Sequence, residues 1–420
     1  MTATALHSAQ LLDSACVMQT YARKPVMFVR GDGMRLYDDG GRTYLDFVAG
    51  IGAVSVGHAR PEVTRAVCEQ AARLTHVSNL YYVEHRGELA ERIARLLGGA
   101  GAESDAHTAD APSDWRVFFA NSGTEAVEGA IKLVRRWAGA HKSGATTMIT
   151  AQRSFHGRTL AALAATGQPS KQEAFEPLPP GFVHVPLNDI DALDRALDES
   201  VAAVMLEVVQ GEGGVWPCTP EYLAAAERLC HERNALLVLD EVQTGFFRTG
   251  PAFAFQAFGI TPDVVTIAKG LGNGFPIGAV AARAHVAEAF QPGDHGSTFG
   301  GGPLACAAAL ATIDVLEREQ LGANASAVGE YLRAGLMALA ESTGAISEVR
   351  GVGLMNGVSL TEPCAARVVE QALARGIVLN NIGDGIIRFI PPLVCSRSDV
   401  DTLLTVLPDI LNEEAASAVK

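Results

Sequence analysis

The sequence predicts an α/β protein in which a mostly parallel sheet lies between helices, with a small α+β domain built from both termini. Two observations lead to this prediction. Short apolar runs alternate with amphipathic stretches through the middle of the chain, which is the order of strands and helices in a parallel sheet. The runs are continuously apolar, as expected for strands that helices cover on both faces.

The central strands can be assigned from these apolar runs. We expect them at "WRVFFA" (115–120), "TTMIT" (146–150), "VAAVMLEVV" (201–209), "ALLVLD" (235–240) and "DVVTIA" (263–268). The stretches between them, such as "TEAVEGAIKLVRRWAG" and "PEYLAAAERLCHERN", carry apolar residues at helical spacing. The middle of the chain therefore predicts a large domain.

The two ends of the chain have a different pattern. Residues 27–47 predict short strands around the turn Asp39-Gly40-Gly41, and the chain after about residue 310 predicts one or two helices followed by further short strands. We expect residues 1–60 to contribute to the small domain, 61–308 to form the large domain and 309–420 to form the rest of the small domain. Residues 98–114, rich in Gly, Ala, Ser and Asp, predict a mobile surface insertion.

Composition excludes several classes of protein. The chain has 420 residues, 48% of them hydrophobic, and a formal charge of −14, which argues against nucleic acid or an anionic membrane as the main partner. It has no apolar segment long enough for a membrane span, and we expect no signal peptide. The seven scattered cysteines lack a CxxC pair, so we expect neither a zinc site nor a disulfide framework, and a reducing, cytoplasmic setting.

Polar residues follow three of the predicted strands. Ser122, Gly123 and Thr124 come between "WRVFFA" and a helix, where backbone N–H groups at the positive helix end can bind a phosphate. An ordinary helix N-cap is the alternative there. Asp240 ends an apolar run, and a buried carboxylate needs a partner; a helix N-cap or a solvated loop acid is the alternative.

Lys269 follows the third of these strands and precedes the glycines of "GLGNG". A lysine whose pKa is lowered becomes a nucleophile that forms a Schiff base with a carbonyl, whereas a surface lysine is the simpler reading. The carboxyl ends of parallel strands meet at one edge of the sheet, where ligands bind. An amine, a phosphate site and an acid at that edge together predict pyridoxal phosphate, an aldehyde with a ring nitrogen that the acid keeps protonated.

Four further stretches carry candidate residues. In "SFHGRT", Phe155 can stack on a flat ring and Arg158 can bind a carboxylate, while His156 is rejected as a metal ligand because no comparable His cluster exists. Glu207 and Glu212 flank a glycine turn and are equally consistent with solvated loop acids. Ser297 and Thr298 are ligands for anionic oxygens. Arg388, inside "IIRFIPPL", needs an anion from the substrate or from the protein.

Seven motifs of the sequence occur in an order that is typical of one protein family. They are "NSGTEAVEGAIKLVRRW", "SFHGRT", "EVVQGEGG", "LLVLDEVQTGFFRTG", "TIAKGLGNGFPIGA", "HGSTFGG" followed by "PLACAAA", and "IRFIPPL". From about Tyr21 to the C-terminus, the chain resembles the class III, fold type I, pyridoxal-phosphate aminotransferases. The resemblance implies that the protein is a homodimer whose subunits share the active site, and that the cofactor binds in the large domain. The expected location is the cytoplasm.

The resemblance also implies a role for each candidate residue. Lys269 would be the Schiff-base lysine and Asp240 the partner of the ring nitrogen, and both would be catalytic. The remaining cofactor-binding residues would be Ser122, Gly123, Thr124, Phe155, Glu241, Val242, Gln243 and, toward the neighbouring subunit's phosphate, Thr298. The substrate-binding residues would be Arg158, Ser297, Arg388 for an α-carboxylate, Glu207, and Glu212 as the gate of Arg388.

The implied reaction moves the δ-amino group of N2-acetylornithine to 2-oxoglutarate, in arginine biosynthesis. The N-terminal segment and "HVSNLYY" are most similar to the family members that act on N-acetylornithine. Members that act on ornithine, succinylornithine or 4-aminobutyrate share much of the pattern, and succinyl-diaminopimelate is a further candidate substrate. Two alternatives from other classes are a nicotinamide-dependent dehydrogenase, suggested weakly by "GLGNG", and a non-catalytic protein of the same fold.

Two positions depart from the family pattern. Val208 stands where the family commonly has proline, and Gly302 stands where it commonly has asparagine. Neither coincides with the lysine, acid or phosphate positions, so the expected cofactor is unaffected. We expect Gly302 to loosen the turn that presents Thr298.

Overall fold

The computed structural model describes residues 5–98 and 114–418. Residues 99–113, which make up nearly all of the predicted insertion, lie outside the described residues. The first part of the chain forms a surface helix, a three-stranded meander and three helices. These elements are α1 (Ala5–Cys16), β1 (Phe28–Asp32), β2 (Arg35–Asp38), β3 (Thr43–Asp46), α2 (Ala49–Gly52), α3 (Pro61–Arg73) and α4 (Arg86–Gly98).

The predicted turn at residues 39–41 joins β2 to β3. Asp38 Oδ1 accepts hydrogen bonds from the backbone N–H groups of Gly40 at 3.0 Å and Arg42 at 2.8 Å. These bonds close the turn and let the two strands pair antiparallel, as the sequence predicts.

The middle of the chain contains nine strands and six helices. The strands are β4 (Trp115–Ala120), β5 (Thr147–Ala151), β6 (Phe182–Val185), β7 (Val201–Leu206), β8 (Val209–Gln210), β9 (Trp216–Pro217), β10 (Leu236–Asp240), β11 (Val264–Ile267) and β12 (Gly278–Arg283). The helices are α5 (Gly123–His141), α6 (Leu160–Ala165), α7 (Pro169–Gln172), α8 (Ile190–Ala196), α9 (Pro220–Glu232) and α10 (Ala284–Ala287). All five predicted central strands are present, although the third ends at Leu206.

Seven of these strands form one sheet in the order β4-β12-β11-β10-β7-β5-β6. The five from β11 to β6 are parallel, and β12 runs antiparallel to both of its neighbours. Alternate residues of β10 enter two cores: Leu236 and Val238 pack in the core that contains α5, whereas Leu237 and Leu239 belong to the core on the other face. Burial on both faces explains the continuous apolar runs.

The last third of the chain forms three long helices, one shorter helix and a second sheet. Its elements are α11 (Pro303–Arg318), α12 (Leu321–Thr343), β13 (Ile346–Val352), β14 (Met355–Leu360), α13 (Ala365–Ala374), β15 (Ile377–Val378), β16 (Asn380–Ile382), β17 (Ile386–Phe389) and α14 (Arg397–Ala418). The antiparallel sheet has the order β13-β14-β17-β16, and β15 pairs with β3 near the other end of the chain. This pairing joins the two termini, as a shared small domain requires; the three domain ranges stay a prediction.

None of the helices in the described ranges is long and apolar enough to cross a membrane. The seven cysteines, all within the described ranges, are unpaired thiols.

Candidate active site

A cavity of about 370 Å³ lies at the carboxyl ends of the parallel strands. This is the edge where the topology of an open α/β sheet places ligands. The structure brings eleven of the predicted site residues into its wall: Ser122, Gly123, Thr124, Phe155, Arg158, Glu207, Glu212, Asp240, Val242, Gln243 and Lys269. The chain separations among them are large, so the sheet topology assembles the cavity.

Lys269 enters the cavity directly after β11. Its backbone φ is +40°, in the left-handed region that non-glycine residues rarely adopt, and it begins a single 3₁₀ turn, Lys269–Leu271. Burial lowers the pKa of the Lys269 amine, and the nearby positive charge of Arg388 lowers it further, while Glu212 opposes the shift. The glycines after Lys269 continue this turn and do not open a helix, so they do not form a dinucleotide-binding loop.

Asp240 forms the buried acidic end of the cavity, with 4% of its surface exposed. Its Oδ1 accepts hydrogen bonds from Val242 N at 3.1 Å and Thr266 Oγ1 at 3.0 Å. Its Oδ2 lies 2.7 Å from His156 Nδ1. The buried carboxylate thus has the partner that its position requires, and that partner is a histidine.

His156 is buried beside Asp240, and the sequence patterns do not indicate that it is the partner of this carboxylate. Burial alone would lower the pKa of the imidazole, but the hydrogen bond and charge of Asp240 raise it above its usual value. Within the described part of the chain, its Nε2 atom is buried without a hydrogen-bond partner. Its place directly after Phe155 was the available signal, because a strand-end loop that presents one residue to the cavity brings its neighbour to the same wall.

Glu207 lies near the Asp240–His156 pair, and its carboxylate binds backbone N–H groups of the protein. Its two carboxylate oxygens accept hydrogen bonds from Phe155 N at 2.8 Å and Gly211 N at 2.9 Å. Burial raises the pKa of Glu207 to about 7, with a further contribution from Asp240 and an opposing one from His156. Glu207 therefore joins the two loops that carry Phe155 and Glu212.

The start of α5 forms another wall of the cavity. Ser122 is its N-cap, and the Ser122 side chain accepts a hydrogen bond from Glu125 N at 3.3 Å. A Cβ atom on Gly123 would lie 2.7 Å from Val242 Cγ1, so glycine allows the helix start to approach the loop after β10. First-turn N–H groups have no partner within the helix and sit at its positive end, which suits an anion.

Arg388 is fully buried in β17, at the edge of the cavity. Its Nε and Nη2 atoms donate to Asn380 Oδ1 at 3.0 and 2.6 Å, and its Nη1 donates to Gln243 Oε1 at 3.2 Å and forms an ion pair with Glu212. The sequence left open whether the substrate or the protein supplies the anion. In this structure the protein supplies it, through Glu212.

Glu212 faces both cations of the cavity. Burial raises the pKa of its carboxyl group, but the charges of Arg388 and Lys269 outweigh burial and hold that pKa below its usual value. The Glu212 side chain is 26% exposed, and its second polar contact is a long one, 3.4 Å from Gln243 Nε2. A carboxylate with one strong partner and access to solvent can be replaced on that partner by another carboxylate.

Four predicted residues lie outside the cavity wall. One is Arg388, which reaches the edge of the cavity through Glu212 and Gln243, and the others are Glu241, Ser297 and Thr298. The Glu241 side chain points away from it, because its carboxylate accepts hydrogen bonds from Thr244 Oγ1 and from the backbone N–H groups of Ala254 and Phe255. Ser297 Oγ caps a turn, accepting from Gly300 N at 3.0 Å and from Asn121 Nδ2 at 3.1 Å. Thr298 is exposed on the surface.

In the described ranges, no group of His, Cys, Asp or Glu residues could hold a metal ion.

Comparison with known proteins identifies relatives over nearly the full chain. Residues 17–411 match the family model described as "Aminotransferase class-III". The chain is 50% identical to the acetylornithine aminotransferase of Gloeobacter violaceus, over 94% of this chain and 95% of that protein, and 46% identical to that of Caldanaerobacter subterraneus, over 94% and 97%. Among solved structures, it is similar to the ornithine aminotransferase from Toxoplasma gondii, with a TM-score of 0.91, 34% identity and coverage of 100% and 97%.

Proposed function

The chain belongs to the class-III aminotransferases, and from this premise we propose that it transfers the δ-amino group of N2-acetylornithine to 2-oxoglutarate. The products are N-acetylglutamate 5-semialdehyde and glutamate, and the reaction belongs to arginine biosynthesis, which we assign to the cytoplasm. In the biosynthetic direction, glutamate is the amino donor. The observation that carries the proposal is the single cavity shared by Lys269, Asp240 and the start of α5, with the Arg388–Glu212 pair at its edge.

Pyridoxal 5′-phosphate is the cofactor of this family, and the residues of the cavity fit it. The N–H groups of Gly123 and Thr124 suit the phosphate, the Asp240 carboxylate suits the ring nitrogen, and Phe155 supplies a flat face. Ser122, Val242 and Gln243 line the same walls. When bound, the cofactor supplies the aldehyde that receives the amino group and a protonated ring that withdraws electrons from the reacting carbon.

Lys269 moves the proton in this proposal. With the cofactor bound, its Nζ atom would take a proton from the substrate carbon that bears the amine and deliver it to the cofactor carbon that keeps the nitrogen, and it would move a proton the opposite way in the second half-reaction. A general base works best when its pKa lies near the working pH, and burial lowers the pKa of Lys269 in that direction. Asp240, held by donors on two sides, keeps its carboxylate in a fixed position at the far end of the cavity.

Arg388 and Glu212 allow one cavity to accept two kinds of substrate. A donor that reacts through its δ-amine brings no carboxylate to Arg388, and Glu212 neutralises the guanidinium. Glutamate and 2-oxoglutarate bring an α-carboxylate, which replaces Glu212 on Arg388 in bidentate fashion. Arg158, which is exposed at the mouth with its Cζ 5.6 Å from the Phe155 ring centroid, would contact the acylated end of the donor. Ser297, whose Oγ caps a turn outside the cavity wall, stays a proposed second contact.

A homodimer with a shared active site is part of the proposal. Large apolar side chains are exposed beside Thr298, notably Leu80 at 86%, Tyr82 at 105% and Phe299 at 63%. Asn79 Nδ2 donates to Ser297 O at 2.8 Å, so the segments that carry these side chains are adjacent. A clustered apolar surface of this kind supports an interface with a second copy of the chain, toward which Thr298 would point.

Competing amino donors test the proposed reaction. The enzyme loaded with cofactor is assayed with 2-oxoglutarate and N-acetylornithine, ornithine, N-succinylornithine, 4-aminobutyrate or N-succinyl-diaminopimelate, and the glutamate formed is measured. We expect the highest kcat/KM with N-acetylornithine, about tenfold or more above free ornithine, because free ornithine carries an extra ammonium group that must be desolvated. A higher kcat/KM with ornithine or 4-aminobutyrate would refute the assignment.

A further inference from the structure

We infer that Arg350 and Trp216 clamp the loop that carries Glu212, which makes Arg350 a positioning residue for the switch between the two substrates. We call residues 211–215 the glutamate loop, and Arg350 with Trp216 the clamp. The inference rests on the proposed function, because it concerns how Glu212 is held against Arg388. The clamp lies behind the loop, outside the cavity wall.

Arg350 lies in β13 and is almost fully buried, with 7% of its surface exposed. Its Nε and Nη2 atoms both donate to the backbone carbonyl of Gly214, at 2.9 and 2.6 Å. Its Nη1 atom donates to Ser359 Oγ at 2.7 Å and to Glu348 at 3.2 Å. Two donors of this buried guanidinium therefore bind a single carbonyl of the glutamate loop. Its other contacts attach it to the antiparallel sheet β13-β14-β17-β16.

Trp216 completes the clamp from β9. The Cζ atom of Arg350 lies 3.7 Å from the centroid of its ring, within cation–π distance, and its Nε1 atom donates to Gly213 O at 3.1 Å. The guanidinium of Arg153 is 4.9 Å from the same ring. The backbone carbonyl groups of Gly213 and Gly214, the two residues after Glu212, therefore both accept hydrogen bonds from the clamp.

The backbone of the glutamate loop needs this support. Gly214 has φ +119°, and a Cβ atom there would lie 2.7 Å from Ile386 Cδ1. Val215 is fully buried with φ +59°, a conformation that is strained for a β-branched residue and persists where the surroundings impose it. On the other side of Glu212, Gly211 N donates to Glu207 at 2.9 Å.

Glu212 therefore stands between two fixed points of backbone. With its main chain held, it leaves Arg388 by rotation of its side chain and returns to the same place. Loss of the clamp lets the loop relax, so Glu212 spends less time on Arg388. Dicarboxylates then compete for Arg388 more easily, whereas a δ-amine donor meets a guanidinium that is less well neutralised.

The test uses Arg350→Met in the cofactor-loaded enzyme, with glutarate as an unreactive five-carbon dicarboxylate. We expect the inhibition constant of glutarate to fall about fivefold and kcat/KM for N-acetylornithine to fall about fivefold, since a charge-assisted contact is weakened but not abolished. Arg350→Lys, which keeps the charge and one donor toward Gly214, should lie between this variant and the wild type. Trp216→Phe, which keeps the ring and loses the bond to Gly213, should shift both constants about twofold the same way, and it serves if Arg350→Met does not fold.

Arg333→Met is the matched control. Arg333 is a half-buried arginine that donates to Gly353 O at 3.1 Å and Asn356 Oδ1 at 2.9 Å, at the turn of the same β13–β14 hairpin, and neither bond reaches residues 211–215. It should leave the glutarate constant unchanged. Introducing Arg350→Met into a Glu212→Gln background should also have no further effect on that constant, because the clamp acts through Glu212.

Two results would overturn the inference. One is the same change in glutarate binding from Arg333→Met as from Arg350→Met. The other is an undiminished effect of Arg350→Met in the Glu212→Gln background. Failure of the proposed function is a separate result, because it would appear in the wild-type enzyme as a lack of transfer between N-acetylornithine and 2-oxoglutarate.

Discussion

Two carboxylates of the cavity wall, Asp240 at the proposed cofactor end and Glu212 at the proposed substrate end, are held in opposite ways. Asp240 is buried and receives hydrogen bonds on both oxygens from Val242, Thr266 and His156. Glu212 is partly exposed and depends on Arg388. The difference shows how one cavity combines a carboxylate held in place with one that another anion can replace.

At the substrate end, Arg388 is held by neutral partners, so we expect Glu212 to be the side chain that moves. Besides Glu212, Arg388 donates to Asn380 and Gln243, which hold its guanidinium independently of the ion pair. Exchange of one carboxylate for another on a preorganised guanidinium costs little reorganisation. The cofactor end should therefore tolerate almost no substitution, whereas changes at the substrate end should separate the two substrates.

Replacing the lysine between the two ends should have the largest effect. Lys269→Ala removes the proton-transfer group, so we expect turnover to fall by about 10⁴-fold or more, with loss of the visible absorbance band of the bound cofactor. Steady-state assay and an absorbance spectrum measure both. Lys142→Ala is a matched control, because Lys142 is another lysine whose pKa burial lowers, but it donates to Val201 O and Arg233 O, away from the cavity. Lys142→Ala should keep the absorbance band and turn over within a few-fold of the wild type, and equal losses from both variants would contradict the assigned role.

The stability contributions of Glu207, near Asp240, and of Glu212 should change with pH in opposite directions. The folded-state pKa of Glu207 is raised from 4.5 to about 7, so its contribution to stability is full below about pH 4.5 and is lost as the pH rises through 7. Between those values the wild type should lose about 3 kcal/mol in free energy of unfolding relative to Glu207→Gln. Urea unfolding at a series of pH values, with cofactor saturating, measures this difference.

Glu212→Gln is the comparison for that experiment. The folded-state pKa of Glu212 is lowered, so its contribution is present above the pKa of the unfolded chain and is lost as the pH falls through the folded value. The stability difference between the wild type and Glu212→Gln should therefore shrink toward acid pH. The same sign of pH dependence for both variants would contradict the contrast between the two ends.

Weakening the fixed cation should affect one substrate. Arg388→Lys keeps a positive charge but loses the planar fork, so we expect the KM for 2-oxoglutarate to rise about 30-fold, the cost of lost charge-assisted hydrogen bonds. The KM for N-acetylornithine should change less than about threefold, because that donor does not use Arg388. Initial rates with each substrate varied in turn measure the split. An equal rise in both KM values would show that Arg388 supports the cavity as a whole.

Much of the cofactor end could be predicted from the sequence. Strand ends of a parallel sheet meet at one edge, so Asp240, Lys269 and the residues before α5 could be placed together without any long-range information. Glu241 shows the limit of this reasoning. It adjoins Asp240 in sequence, but its carboxylate reaches the backbone of residues 254 and 255 on the other side of the strand end.

The substrate end depended more on long-range contacts. Asn380, Gln243 and Glu212 meet at Arg388 from three separate parts of the chain, and no local pattern indicates that the protein itself supplies the anion. Arg350 contacts Gly214 across 136 positions of the chain, which single-sequence patterns do not reveal. The residues around His156 in sequence exclude a metal-binding motif but do not indicate its contact with Asp240, which lies 84 positions away.

Separate measurement of the two half-reactions in Glu212→Gln tests the exchangeable acid most directly. Single turnovers with N-acetylornithine and with glutamate are followed through the absorbance of the bound cofactor. We predict that kcat/KM for N-acetylornithine falls about tenfold, because Arg388 is no longer neutralised, while that for glutamate is unchanged or higher, because its α-carboxylate no longer displaces a charged competitor. A parallel fall in both half-reactions would contradict the account and make Glu212 a structural part of the site.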